Sequence, residues 1–159
     1  MPTIILETRI RSGIKTCFDL SRSIDLHKIS TAKTKEKAVA GKIKGLIGLN
    51  EFVTWEATHF GIKQKLTSKI TAFDPPVHFR DEQVKGAFRS IMHDHYFECR
   101  EGIVIMKDIF EFHSPFGIAG RIFNKLILTR YLRRLLHARN MIIKEYAETE
   151  KYHSVLREL

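Results

Sequence analysis

Residues 117–148, GIAGRIFNKLILTRYLRRLLHARNMIIKEYAE, hold the longest sustained helical periodicity in the chain. From Leu128 onward, Leu128, Tyr131, Leu132, Leu135, Leu136, Ile142, Ile143 and Tyr146 fall on one stripe at about 100° per residue. Arg130, Arg133, Arg134, His137, Lys144 and Glu145 take the opposite side. Such a helix needs an apolar surface to bury against. Ile118, Ala119, Ile122, Phe123, Leu126 and Ile127 form a second stripe that points roughly the other way. Two readings of that mismatch are open. The helix kinks or bulges near Ile127 and Leu128, or its first turns offer an apolar face to a pocket, a partner or a membrane.

The surface for the helix comes from the strand-like segments before it. Residues 3–11 alternate, with Ile4, Leu6, Thr8 and Ile10 on one face. A short helix follows over residues 14–22, and Ser23 caps a second one through Asp25, Leu26 and Ile29. A loop at 30–35 and a short strand at 37–41 lead to four or five strands in quick succession. Residues 52–60 turn Val53, Trp55, Ala57 and His59 to one side. Residues 62–73 set Ile62, Gln64, Leu66, Ser68 and Ile70 against a lysine- and threonine-rich face, which makes the first set inward. Asp74-Pro75-Pro76 forces a turn, and residues 77–85 then place Phe79, Asp81 and Gln83 together. The last two strands, 88–99 and 103–113, are joined by Glu101-Gly102, a hairpin signal. Strands linked by hairpins and closed by one long helix predict an α+β domain on an antiparallel sheet.

Bulk properties narrow the class. With 159 residues the chain is read as a single domain, 1–159, able to bury a substantial core. No apolar run has transmembrane length, the N-terminus lacks a signal-peptide layout, and two isolated cysteines fit a reducing compartment, so a cytoplasmic location is expected. The net charge of +9 is local. Residues 28–48 carry six lysines against one glutamate, and residues 115–159 carry nine Lys or Arg against four Glu. No nucleic-acid motif accompanies this charge, so no nucleic-acid partner is expected. A solvated face and transient contact with an acidic membrane surface are the readings left open. The oligomeric state is read as monomer or homodimer.

Four segments together resemble a known superfamily: CFDLSRSIDLH (17–27), GLIGLNEFVTWEATHFGIKQKLTSKIT (45–71), VKGAFRSIMHDHYFE (84–98) and DIFEFHSPFG (108–117). They look like the SRPBCC ligand-binding proteins, related to polyketide cyclases and to the START and Bet v 1-type domains. The resemblance implies a helix-grip fold, in which a curved antiparallel sheet of about seven strands wraps a long C-terminal helix, with two short helices after the first strand. It also implies a ligand cavity between sheet and helix. A fold alone does not confer an activity.

The polar residues on inward strand faces carry the chemical content. Trp55, His59, Gln64, Asp81, Gln83, His93, His95 and Asp108 all point toward the interior, where each needs a partner, a water or a ligand. Leu66, Phe79, Met106, Phe110, Leu132 and Leu136, with Phe18 and Phe97, are the expected apolar lining. The densest polar set is His93-Asp94-His95, whose histidines share a face about 7 Å apart along the strand, with Asp108 expected alongside. Three readings are open: histidines satisfied by Asp81 or Asp108, acid–base or ligand-orienting groups, or a metal site with His59. The His-x-His spacing lacks a clear third ligand, so no metal or cofactor is assigned. No catalytic residue is assigned either, with His93, His95 and Asp108 as the candidates. The expected function is binding of a hydrophobic small molecule or lipid, with a cyclase- or aromatase-type enzyme and a peripheral membrane or partner-binding protein as alternatives.

Overall fold

In the computed structural model, which describes residues 2–113 and 127–156, seven strands build one antiparallel sheet. They are β1 (Thr3–Ile10), β2 (Lys37–Gly41), β3 (Phe52–His59), β4 (Ile62–Asp74), β5 (His78–Lys85), β6 (Ser90–Arg100) and β7 (Ile103–His113). Their spatial order is β1-β7-β6-β5-β4-β3-β2. Six strands thus run as a meander, and the first strand closes onto the last. Two short helices, α1 (Ile14–Ser21) and α2 (Ile24–Ser30), follow β1. The long helix α3 (Thr129–Ala147) packs against β1, α1 and α2, and a short α4 (His153–Leu156) ends the described chain. The architecture is the helix grip.

Local chemistry accounts for the joints. The Ser23 side chain accepts a hydrogen bond from the Leu26 amide at 3.1 Å, capping α2. Glu101 and Gly102 both have positive φ, the geometry that suits a two-residue hairpin turn. The register shifts between Ala38 and Ala40, between Thr67 and Ser68, and between Ile70 and Ala72, irregularities of the kind that bend and twist a strand.

The last of these irregularities changes which residues face inward. Ile70 pairs with Asp81, but Phe73 pairs with Phe79, so Phe73 joins the interior out of simple alternation. There it packs against Phe18, whose ring also meets Phe79 and Phe97 edge-on. The opposite end of β4 corrects the sequence expectation: Ile62, read as inward, is 63% exposed at the tip of its hairpin.

Residues 127–128 are π-helical and lead directly into α3, with Leu128 buried and Ile127 exposed. Ile118, Ala119, Ile122, Phe123 and Leu126, which carry the earlier stripe, fall outside the described residues. Among the described residues, no helix is long and apolar enough to cross a membrane.

Two apolar clusters fill the interior. One gathers around Phe18, Trp55, Phe79, Phe97, Met106 and Ile143, and the other around Ile4, Ile91, Phe110, Phe112 and Leu128. Between them lies a set of buried polar side chains.

Candidate functional site

Register brings that set together. Across β5 and β6, Asp81 stands beside His93 and Phe79 beside His95. Across β6 and β7, His93 stands beside Phe110 and His95 beside Asp108. The two carboxylates therefore flank the His-x-His pair on opposite sides. The histidines are one pleat apart along the backbone, yet their rings tilt to a centroid separation of 3.8 Å, closer than strand spacing alone suggests. His95 stacks on Phe79 at 4.2 Å, and His93 meets Phe110 edge-on. Each ring is thus clamped by one of the two apolar clusters.

Asp108 is fully buried and is the hub. Its Oδ1 lies 2.9 Å from His93 Nε2, within a hydrogen bond. His95 Nδ1 lies 2.8 Å from the same oxygen, but its geometry is off-line, so this is an ionic contact rather than a hydrogen bond. From α3, Asn140 Nδ2 donates to Asp108 Oδ2 at 2.6 Å and also reaches Thr8 Oγ1 at 3.3 Å. Arg139 Nη1 stands 3.8 Å from Asp108 Oδ1 while Nη2 donates to the Ser21 carbonyl at 2.8 Å. On the other side of the rings, Asp81 Oδ2 lies 3.0 Å from His95 Nε2 and 3.8 Å from His93 Nδ1.

The environment separates the two histidines. For His93, burial and the neighbouring His95 outweigh the two carboxylates and push its pKa below the ordinary value. For His95, burial also opposes the charged ring, but Asp108 and Asp81 outweigh it and raise the pKa. Burial works against the charge of Asp108, yet its histidine partners hold it well below the usual carboxylate range. Burial opposes the charge of Asp81 too, and it is lowered in the same way, with His95 as its main partner. Its side chain is 27% exposed, and that exposure faces a cavity.

The cavity has a volume of about 220 Å³ and lies between the sheet and α3. Of the side chains anticipated from sequence, Trp55, His59, Gln64, Leu66, Phe79, Asp81, His93, His95, Phe110, Leu132 and Leu136 line it. Three do not. Asp108 sits behind the histidines, and Met106 is packed in the core against the Ser21 hydroxyl. Gln83 is tied to the Phe88 carbonyl at 2.7 Å. Phe18 and Phe97 also belong to the packed core rather than the lining. His59 does not approach the His-x-His pair: its Nδ1 is 2.8 Å from Tyr131 Oη on α3.

Sequence reasoning missed Arg139 and Asn140. Their signal was present: they interrupt the apolar stripe between Leu136 and Ile142, on the face that must be buried. It also missed the His27–Glu36 pair at the other end of the cavity, with His27 Nε2 2.7 Å from Glu36 Oε2 and its ring stacked on Trp55 at 4.2 Å. Cys17 has no catalytic setting, since burial pushes its thiol up to about 12.

No family model and no curated protein matches the sequence. Solved structures do match the fold. The chain is similar to TTHA0849 from Thermus thermophilus with a TM-score of 0.70 at 16% identity, covering 89% of this chain and 97% of that one. It is similar to the ginseng major latex-like protein 151 from Panax ginseng with a TM-score of 0.67 at 15% identity, covering 93% and 98%. Ara h 8.0201 matches with a TM-score of 0.63 at 14% identity, covering 92% and 97%. At these identities the likeness shows the fold alone, the helix grip.

Proposed function

We propose that the protein binds a hydrophobic small molecule or lipid in the cavity between the sheet and α3. The observation that carries this reading is the cavity itself, walled by Trp55, Leu66, Phe79, Leu132, Leu135 and Leu136, with Asp81, His93 and His95 converging at one wall. A mostly apolar concavity with a few convergent polar groups is the general form of a small-molecule site. A roughly 150 Å³ apolar cavity accepts benzene, so about 220 Å³ admits something larger. Leu132, Leu135 and Leu136 are half-buried and line the space, and Leu132 and Leu136 also pack on the cluster around Phe110 and Phe112.

The test is binding of a fluorescent fatty-acid probe, followed by displacement with unlabelled lipids and aromatic compounds. Leu136→Trp fills the cavity and abolishes saturable probe binding while circular dichroism keeps its shape. Probe affinity unchanged in a folded Leu136→Trp protein refutes the reading.

A cyclase- or aromatase-type enzyme is the second reading. One observation favours it: two histidine rings 3.8 Å apart on the cavity wall, each beside a carboxylate, an arrangement suited to giving and taking protons.

A further inference from the structure

We infer that Asp81, His93 and His95 form a binding site for a divalent first-row transition-metal ion on the polar wall of the cavity. One ligand atom from each of the three lies within 4.8 Å of the others. Asp81 Oδ2 is 3.0 Å from His95 Nε2 and 3.8 Å from His93 Nδ1. In tetrahedral or octahedral sites with bonds of about 2.1 Å, neighbouring ligand atoms lie about 3.0–3.4 Å apart. The two separations from Asp81 thus stand close to the spacing that a metal imposes, and side-chain rotations bring the third into range. The ion takes the place of the proton shared between His95 and Asp81.

The surroundings are those a metal centre uses. Histidine ligands characteristically turn their second ring nitrogen to a carboxylate, which fixes the ring and its tautomer. Here a single buried carboxylate stands against both rings, hydrogen-bonded to His93 Nε2 at 2.9 Å and in off-line contact with His95 Nδ1 at 2.8 Å. Asn140 fixes the other oxygen of Asp108 at 2.6 Å. Phe79 and Phe110 hold the two rings from either side. Two carboxylates face one nearby guanidinium, that of Arg139, so with neutral histidines the cluster holds one uncompensated negative charge. Asp81, His93 and His95 line the cavity whereas Asp108 does not, so the remaining coordination positions open toward the space where a ligand lies. Two imidazoles and one carboxylate with open positions suit zinc and ferrous iron rather than calcium or magnesium, which prefer oxygen donors.

The test is titration of the chelator-stripped chain with Co²⁺, read by visible absorption, and then competition with Zn²⁺. The expected result is one equivalent of Co²⁺ with intense low-symmetry d–d bands, displaced by Zn²⁺. Asp81→Asn, close to isosteric, and His93→Ala each abolish those bands. Asp108→Asn, which leaves the three ligands in place, weakens affinity by roughly 10–100-fold. His153→Ala, at the distant exposed pair with Glu150, leaves the titration unchanged. Featureless weak absorption of aqueous Co²⁺ with the unaltered protein overturns the inference without recourse to any variant. So does a full signal that survives Asp81→Asn. Probe binding measured with chelator present separates this outcome from failure of the ligand-binding reading on which the open coordination positions rest.

Discussion

The cavity carries a histidine–carboxylate cluster at each end, and the two are built on different principles. At one end, His93 and His95 sit between Asp81 and Asp108 on three adjacent strands, so hydrogen-bonded register fixes every relative position. At the other, His27 of α2 meets Glu36, which precedes β2, while Thr34 Oγ1 lies 3.1 Å from Glu36 Oε1. That pair depends on how a helix and a turn fold together. The strand cluster is sealed at its centre, with the His95 and Asp108 side chains 1% and 0% exposed, and opens to the cavity through Asp81. The His27 side chain is 26% exposed and reaches water. Rigid register supports a dense set of charges in a dry place, whereas the turn-built pair holds a single ionic contact that solvent shares.

The sharpest way to break this contrast is Asp108→Ala. The substitution leaves His93, His95, Arg139 and Asn140 facing an empty space without their common acceptor. Removing one partner of a buried ionic network costs about 3–5 kcal/mol. Urea denaturation should show a loss of that size. A loss under about 1 kcal/mol would mean that water or a rotated side chain replaces Asp108, and the cluster would not be sealed after all.

Trp55→Ala comes next, because the indole lines the cavity and supports the His27 end. It is buried in the core and its face supports His27. Truncating a buried aromatic costs about 3 kcal/mol or more where the space cannot collapse. Here one side of the ring already fronts the cavity, so the expected loss lies at the lower end, about 3 kcal/mol. Thermal unfolding gives this number directly, and probe binding should also weaken, since a wall has been removed.

How far the sequence foretold this arrangement follows the same division. Strands repeat every two residues, so Asp81, His93, His95 and Asp108 can be placed on one side of the sheet by counting. The long helix can be placed by its 3.6-residue stripe. Counting fails where the period breaks. Phe73 enters the core because the strand is irregular between Ile70 and Ala72, and nothing in ITAFD marks that position. Ile62 leaves it because the hairpin tip outruns the sheet's cover. Glu36 lies in a polar stretch with no periodicity at all, and its partner His27 is nine residues back on another element. Arg139 and Asn140 escape notice for a different reason: polar residues on a helix are usually solvated, and only the complementary Asp108 makes their burial favourable.

Titration with acid sharpens the contrast at the weaker cluster. Burial alone would raise the pKa of Glu36, but the hydrogen bond from His27 and its charge, with Thr34 assisting, bring it below the ordinary value. A carboxyl whose folded pKa is depressed stabilises the fold above its unfolded pKa, about 4.3, and that contribution disappears as pH falls through the folded value. Glu36→Gln should therefore cost about 1–2 kcal/mol at pH 7. The difference from the unaltered protein should shrink steadily once pH drops below the unfolded glutamate value, and vanish below the folded one. Chemical denaturation at a series of pH values measures both curves. If the two curves stay parallel into acid, the charge of Glu36 contributes nothing to the folded state. The contact with His27 would then be an exposed ion pair of the ordinary weak kind, and His27 would be held by its stacking on Trp55 instead.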